Sequence, residues 1–355
     1  MLEKIKSKLT RPFIALSVWY TFYRKEYSLH SKINIFKRIF LNSKGFFSKR
    51  TIPYDFKNWR YSDYISDLEV IKLSYINYPY SKLLRNKLVF SNYFRNYFKT
   101  PQVYYLINNS LIKSVNPQIK EENFEGFIKV LLAKRKLIIK PTLGARGTGI
   151  YLLELDEEKI LVNKKEISKS ELQKFVSSLT GHIVVEFIEQ CDFTKRIFPM
   201  STNTLRINTF FDPVLYKVIT KQPYLRMGTS KSIPTDNVAR GGLYSMVDIE
   251  TGILDDAIEI YTPGSIRKVT NHPETKTRIS GNVIPHWNEI KECILNTSRV
   301  ISPLIKVVGW DIVITDNSFV VLEGNNGPDL GQHRMGNPLA KDEDVLLFLK
   351  HSKIR

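Results

Sequence analysis

Cysteine is nearly absent: the 355 residues hold two, Cys191 and Cys293, far apart and in no CxxC pair. That excludes a disulfide scaffold and a thiolate zinc cluster, and leaves two reduced thiols as the reading. Six histidines are present, and no two stand four residues apart as a helical zinc pair requires. No Ser/His/Asp or Cys/His constellation offers a side-chain nucleophile. Long apolar runs are missing too. The longest mainly apolar stretch, Phe13 to Tyr23, is too short to cross a bilayer and is interrupted by Ser17 and Thr21. It is followed by no small-residue cleavage site of the kind a secretory signal carries. Internal repeats and low-complexity tracts are lacking. Acid is in short supply: 35 Asp and Glu face 53 Lys and Arg, for a net charge of +18. What is present, 43% hydrophobic and 12% aromatic residues, excludes wholesale disorder and suits a real core. The basic surplus points to an anionic partner: nucleic acid, a membrane surface, or phosphorylated or acidic small molecules.

The length predicts about two domains, and the charge is not shared evenly along them. Residues 1–60 hold nine lysines and five arginines against Glu3, Glu26 and Asp55, a surplus of +11. They also hold 13 aromatics, which separate Arg24-Lys25, Lys37-Arg38 and Lys49-Arg50. Two main readings of this segment stay open. One is a solvated basic helix pair that packs its aromatics on the next domain; the other is a segment lying on an anionic membrane surface. No helix-turn-helix, zinc-finger or RNA-binding signature is present, so nucleic acid is not expected as a partner.

Residues 61–120 read as helical with short loops, and Ser81 to Phe98 as one amphipathic helix. An extended stretch follows at Gln102 to Ile107, then a helix at Asn123 to Ala133, then mostly strands from Leu137. The fold class is therefore α+β with a helical N-terminal part. Within the strand-rich region, Lys140-Pro141 leads into a loop with Gly144, Arg146, Gly147, Thr148 and Gly149. Glycines let backbone N–H groups wrap a phosphate. The spacing is GxxGxG and a strand follows, so this is neither a dinucleotide fingerprint nor a GK[ST] phosphate loop. It reads as a flap between antiparallel strands, with Lys140 as a point charge beneath it.

Residues 307–325 form a second pattern, two strands around a turn at Asp316-Asn317-Ser318. A hairpin centred on Asn317 sets Asp311 opposite Glu323 and points Asn325 to the same side. Facing like charges are destabilising unless something neutralises them, and a divalent cation does so. Mg²⁺ takes carboxylate and amide oxygens together with substrate phosphates. The same register groups Ile312, Ile314, Val320 and Leu322 on the opposite, apolar face.

Lys140-Pro141, the glycine flap, Val184-Val185-Glu186-Phe187-Ile188 and Asp311…Glu323-Gly324-Asn325 together resemble the ATP-grasp superfamily. More narrowly, Ser201-Thr202-Asn203-Thr204-Leu205-Arg206, Ala239-Arg240-Gly241-Gly242, Asn271-His272-Pro273, Ile284-Pro285-His286-Trp287 and Gly309-Trp310-Asp311 resemble the sugar-transfer-associated ATP-grasp proteins, over roughly residues 82–335. Members of that group are often encoded among capsule and exopolysaccharide functions.

The resemblance implies an ATP-grasp fold, two α+β subdomains clasping ATP. It implies a boundary set of 1–80 for the basic segment, 81–190 for the first subdomain with its flap, and 191–355 for the second with the metal hairpin. It implies Lys87 and Lys140 on the phosphates, Glu186, Phe187 and Ile188 as the hinge that reads adenine, and Glu189 or Asp192 at the ribose. Asp311, Glu323 and Asn325 would hold Mg²⁺, with Mn²⁺ as an alternative, and Arg206 and Arg240 would be the catalytic arginines. One departure stands out. Many ATP-grasp enzymes carry an arginine two residues before the first metal aspartate, and here that position is Gly309. Arg206 or Arg240 would have to replace it.

The implied reaction is ATP-dependent joining of a carboxylate to an amine through an acyl phosphate. A uronic acid of a surface polysaccharide, free, nucleotide-linked or lipid-linked, and an amino acid are the expected substrates. The expected place is the cytoplasm, with a peripheral position at the inner membrane face left open. Two alternatives remain at this point: an amino-acid or peptide ligase for a small metabolite, and a non-catalytic membrane-associated adaptor of the same fold.

Overall fold

Side-chain caps punctuate the first hundred residues and decide where the helices begin. The computed structural model describes residues 2–28, 33–48, 54–144, 148–262, 265–328, 330 and 338–355. In this part α1 covers Leu2–Tyr27, α2 Ile35–Ser43, α3 Asp67–Tyr75, α4 Lys82–Arg85 and α5 Lys87–Phe94. Asn34 caps α2 by accepting from the Phe36 N–H, and Ser66 with Glu69 forms a reciprocal capping box on α3. The single helix expected over Ser81–Phe98 is not formed. Asn86 adopts an extended backbone (φ −94°, ψ 113°), and its side chain accepts from the N–H groups of Leu88 and Val89. An Asn side chain that bonds the backbone this way starts a new helix rather than continuing the old one. Lys87 thereby becomes the first residue of α5, and its N–H donates to the Thr142 carbonyl at 2.9 Å.

Helix α1 rests on α3 through Val18 and Phe22, which meet Phe47 and Ile71. The buried Asn77 then ties this helical part to the body of the protein. Its amide donates to the Val307 carbonyl (2.6 Å) and to Asn326 Oδ1 (2.9 Å), and its oxygen accepts from the N–H groups of Lys306 and Val307.

The smaller sheet comes next in the chain: β1 (Val103–Asn108), β2 (Leu111–Ser114), α6 (Phe124–Lys134), β3 (Lys136–Pro141), β4 (Tyr151–Asp156), β5 (Lys159–Val162), β6 (Lys165–Ile167), α7 (Lys169–Ser178) and β7 (Thr180–Glu186). Its strand order is β2-β1-β7-β3-β4-β5-β6, antiparallel throughout. Apolar side chains of α6 and α7, among them Phe127, Leu131, Leu172 and Val176, bury one face with Ile107, Ile139 and Val184. The extended stretch and the helix expected at 102–107 and 123–133 correspond to β1 and α6.

The larger sheet completes the chain with α8 (Asp192–Ile197), β8 (Thr204–Asp212), β9 (Lys217–Thr220), β10 (Tyr224–Met227), β11 (Leu243–Val247), β12 (Leu254–Thr262), β13 (Ser265–Val269), α9 (Trp287–Ile301), β14 (Val307–Ile314), β15 (Phe319–Asn325) and α10 (Glu343–His351). The order is β13-β12-β11-β10-β8-β14-β15, with β9 also on β8. Strand alternation divides the work between its two faces. Leu205, Ile207, Trp310 and Ile312 point to the helix side, where they pack on Phe90 and Phe94 of α5 and Ile290 and Ile294 of α9. Trp310 is fully buried there and donates its indole N–H to Thr209 Oγ1 at 3.0 Å. A core aromatic of this kind is worth about 3–5 kcal/mol when truncated to alanine. Arg206, Asn208 and Asp311 take the opposite face.

The hairpin of β14 and β15 pairs Asp311 with Glu323 and Gly309 with Asn325, as the hairpin arithmetic expects. Nearer the turn the register shifts by one at a β-bulge, so Ile312 pairs with Val321 and Ile314 with Phe319. This corrects the expected apolar face. Ile312 and Ile314 share the core with Phe319 and Val321, while Val320 and Leu322 pack with Val313 and Ile188 in a separate cluster. A bulge inserts one residue and turns the following side chains to the other face.

Candidate active site

Two strands of the larger sheet carry the acids. Asp311 is buried in the middle of β14, and Glu323 faces it from β15. The Asn325 amide nitrogen lies 3.1 Å from Asp311 Oδ2, 3.3 Å from the Gly309 carbonyl and 3.5 Å from Glu323 Oε1. Two carboxylates, with the amide oxygen of Asn325 once its side chain turns that atom toward them, are donors that a hard divalent cation accepts. Among the described residues no three acids, histidines or cysteines cluster. The remaining ligands would come from phosphate oxygens and water, as Mg²⁺ prefers.

Asp311 is also held by two arginines. Arg206 is its partner on β8 and grips it in a fork: Nε lies 2.5 Å from Oδ1 and Nη2 3.0 Å from Oδ2. Arg226 on β10 reaches the same Oδ1 at 3.1 Å, and bonds Thr204 Oγ1 beside the buried Asp236. Burial alone would push the Asp311 carboxyl up, but the Arg206 and Arg226 guanidiniums more than reverse this and hold it down to about 2. Burial works against the Arg206 charge as well, and Asp311 overcomes it, pulling the guanidinium above its ordinary range. Asp236 goes the other way: burial raises it, and Arg226 and Thr204 reverse that only in part. The site is therefore rich in fixed, mutually neutralising charge.

Gly309 matters through what it makes room for. A Cβ there would come 2.7 Å from Pro328 Cβ, 2.9 Å from Asn208 Oδ1 and 3.2 Å from Arg206 Nη1. The Arg206 guanidinium thus occupies the space beside residue 309, approaching it from the neighbouring strand.

The lysines arrive from outside the larger sheet. Lys87, first in α5, places its Nζ 3.6 Å from Glu323 and donates to the Gly144 carbonyl of the flap at 3.0 Å. One buried ammonium therefore links the flap to the acid hairpin. Lys140, at the end of β3, has its ammonium pushed down to about 8 by burial and by Lys87, against the pull of Glu323. The flap itself spans the β3–β4 connection. Gly149 takes a left-handed φ of 73°, and Thr148 is exposed. Arg146 and Gly147 lie outside the described residues.

At the other end, β7 finishes at Glu186, whose carboxylate accepts from the Gln102 N–H at 3.1 Å. Phe187 carries the Lys136 ammonium 5.2 Å over its ring. Ile188 joins Val313, Val320 and the partly buried Leu322 in a small apolar cluster. Of the two ribose candidates, Glu189 is ion-paired to Lys195 (3.1 Å) and Lys136 (3.9 Å), while Asp192 is exposed at the start of α8, its N–H bonded to Asp316 Oδ1.

The remaining candidates divide. Arg240 is exposed on a short 3₁₀ turn, one residue ahead of Gly241. The loop that carries it does lie over the site face, since Val238 packs on Tyr224, Tyr244 and Ile258. His272 is fully buried, stacked on Phe198 and bonded to the Gly228 carbonyl, so it props that loop. Arg226 and Asp236 were not singled out from the sequence. The signal was there: a lone arginine inside the apolar strand Tyr224–Met227, two positions from a strand neighbour of Arg206.

The model of the family described as sugar-transfer associated ATP-grasp matches residues 71–342. No curated protein matches the chain. Solved structures similar to it include D-alanyl-alanine synthetase A from Vibrio cholerae, at 10% identity over 76% of this chain and 66% of that one, with a TM-score of 0.44. They also include the ATP-grasp ligase PsnB with its minimal precursor, Mg and ADP, at 11% identity over 78% and 62%, TM-score 0.37. A third is N5-carboxyaminoimidazole synthetase from Staphylococcus aureus with ADP, at 11% identity over 71% and 46%, TM-score 0.38. The chain spans less than two thirds of the length of each.

Proposed function

Because the chain belongs to the sugar-transfer associated ATP-grasp family, we propose that it is an ATP-dependent ligase that joins a carboxylate to an amine. The carboxylate is a uronic acid of a capsule or other surface polysaccharide, free, nucleotide-linked or lipid-linked, and the amine is an amino acid. The observation that carries the reading is Lys87, whose ammonium meets both the flap at Gly144 and the acid hairpin at Glu323. Such a junction suits a triphosphate laid between two sheets.

In this reading the base stacks in the Ile188 cluster, and backbone groups of Glu186, Phe187 and Ile188 read its edge. Asp192 or Glu189 takes the ribose. Lys87, Lys140 and the flap residues Gly144, Arg146, Gly147, Thr148 and Gly149 cover the phosphates. Asp311, Glu323 and Asn325 would hold Mg²⁺, with Mn²⁺ as the alternative, and the cation would supply positive charge against that of the phosphates. The substrate carboxylate oxygen attacks the γ-phosphorus, the bond to the β–γ bridging oxygen breaks, and ADP leaves. Arg206 balances negative charge on the transferring phosphoryl group. The amine then attacks the acyl phosphate carbonyl, loses a proton, and expels inorganic phosphate. Arg240 meets the substrate carboxylate from the overlying loop. The cytoplasm, where ATP is available, is the place for this reaction.

The test is ADP release across a panel of uronic acids and amino acids. One pair is expected to stimulate release with formation of the matching amide. No stimulation by any pair, from folded protein that binds ATP, would falsify the uronate reading, and stimulation by amino acids or peptides alone would replace it with a peptide ligase.

Lys140 adds a pH dependence. Its ammonium is charged below about pH 8 and neutral above, whereas bound phosphate would restore the charge. Above pH 8, nucleotide binding then takes up a proton, and affinity falls by up to about tenfold per pH unit. Titration calorimetry of ATP from pH 7 to pH 9.5 is expected to show this break near pH 8, and the charge-keeping Lys140→Arg is expected to remove it.

A further inference from the structure

Among the described residues, exposed large hydrophobics concentrate far along the chain from the site just described. Among the described residues, ten of the 24 exposed large hydrophobics fall between Phe13 and Phe40, on α1 and α2. On α1, Phe13, Leu16, Tyr20, Tyr23 and Tyr27 recur at spacings of three and four, so they share one face. The opposite face, with Val18 and Phe22, is already used against Phe47 and Ile71. Helix α2 repeats the arrangement: Ile35, Phe36, Ile39 and Phe40 are exposed, and Leu41 alone is buried. Phe13 is 71% and Phe36 78% exposed, and among these side chains Phe40 meets the Tyr61 ring edge-on at 5.6 Å.

Charge identifies what fits there. The surplus over residues 1–60 is +11, and the fold withdraws one acid with its arginine partner without changing that balance. Glu26, one of the three acids in the segment, is 1% exposed and takes Arg38 Nε (2.8 Å), the Ser48 N–H (3.0 Å) and the Ser48 hydroxyl. Arg24 and Arg38 lie 5.8 Å and 4.5 Å over the rings of Tyr20 and Tyr27, so cationic groups border the aromatic stripe directly. No described helix is long and apolar enough to cross a membrane.

We propose that the exposed aromatic faces of α1 and α2, with the basic residues beside them, form a docking surface for an anionic lipid bilayer, on which the helices lie in the interfacial plane. Aromatic and aliphatic side chains enter the boundary between headgroups and acyl chains, and Arg24 and Lys37 pair with anionic headgroups. The buried contacts of Asn77 with β14 then hold the catalytic sheet at a fixed distance from that surface.

Flotation of the full chain with vesicles tests this. Binding is expected to vesicles of phosphatidylcholine mixed with phosphatidylglycerol, and not to phosphatidylcholine alone, with loss at high salt. Phe13→Ser combined with Phe36→Ser is expected to cut the bound fraction at least about tenfold, and Arg24→Ser with Lys37→Ser roughly fivefold per residue. Thermal melting and ATP binding of each variant report whether it stays folded; the lipid and salt dependence of the unaltered protein stands regardless. Equal binding to both vesicles, no binding, or binding untouched by the aromatic substitutions would overturn the proposal. So would a dimer or a complex with duplex DNA that the same aromatic substitutions dissolve while vesicles do not bind.

Discussion

Glu323→Gln loses ATP turnover by at least about a thousandfold in kcat while the protein keeps its fold. The size follows from what the substitution removes. Glu323 supplies one of two carboxylates in the proposed cation site and is also the ion partner of Lys87 at 3.6 Å. An amide of the same shape keeps the packing of β15 but takes away the charge that neutralises both cation and ammonium. Transition-state stabilisation by a bound cation is worth several kcal/mol, and about 4 kcal/mol is a thousandfold. The strand should tolerate the change, because Glu323 is partly exposed and its backbone pairing with Asp311 does not use the side chain. Single-turnover ADP release with circular dichroism as the fold control measures it. Turnover within tenfold of the unaltered protein would remove Glu323 from the site.

Arg206→Lys is expected to lower kcat by about a hundredfold or more, with the KM for ATP changed little. The reasoning rests on position. Residue 309 is glycine, and the Arg206 guanidinium fills the space beside it from the next strand. The fork that grips Asp311 is bidentate, and an ammonium cannot reproduce it. Removing one donor aimed at developing charge costs about 10²–10³ in kcat. Arg206→Met would confound the test, because it leaves Asp311 buried with Arg226 alone, and breaking a buried pair costs about 3–5 kcal/mol of stability. The split between kcat and KM separates the roles. A purely structural arginine would lower the melting temperature without a kcat effect beyond the fraction unfolded. If Arg240→Ala instead gave the larger kcat loss, the exposed loop arginine would be the one that meets the phosphoryl group.

Much of the site was legible because strand geometry is periodic. Asp311, Glu323 and Asn325 stand at positions that a hairpin centred on Asn317 brings to one side, and that pairing is found, restored by the bulge from a register that is shifted next to the turn. Lys140 and the glycines were legible because a flap needs glycine and a phosphate needs a cation. The bulge was not legible: whether one residue is skipped between Asp311 and Ile312 depends on which side chains the core accepts, and Ile188, from another element, decides where Val320 and Leu322 go. The break at Asn86 was hidden for a related reason. Apolar spacing continues through it, and the competing side-chain bonds to Leu88 and Val89 leave no trace in the periodicity.

By itself the sequence determined the α+β class, the acid pair, the flap and the concentration of basic and aromatic residues in the first 60 positions, since each depends on local spacing or composition. Only the tertiary structure decided that Lys87 joins flap to hairpin, that Arg226 shares Asp311 with Arg206, and that Glu26 is withdrawn under Arg38 and Ser48. These are contacts between residues 12 to 236 positions apart. Their distances follow from how sheets and helices pack, and packing sums over the whole chain, so no window of sequence contains it.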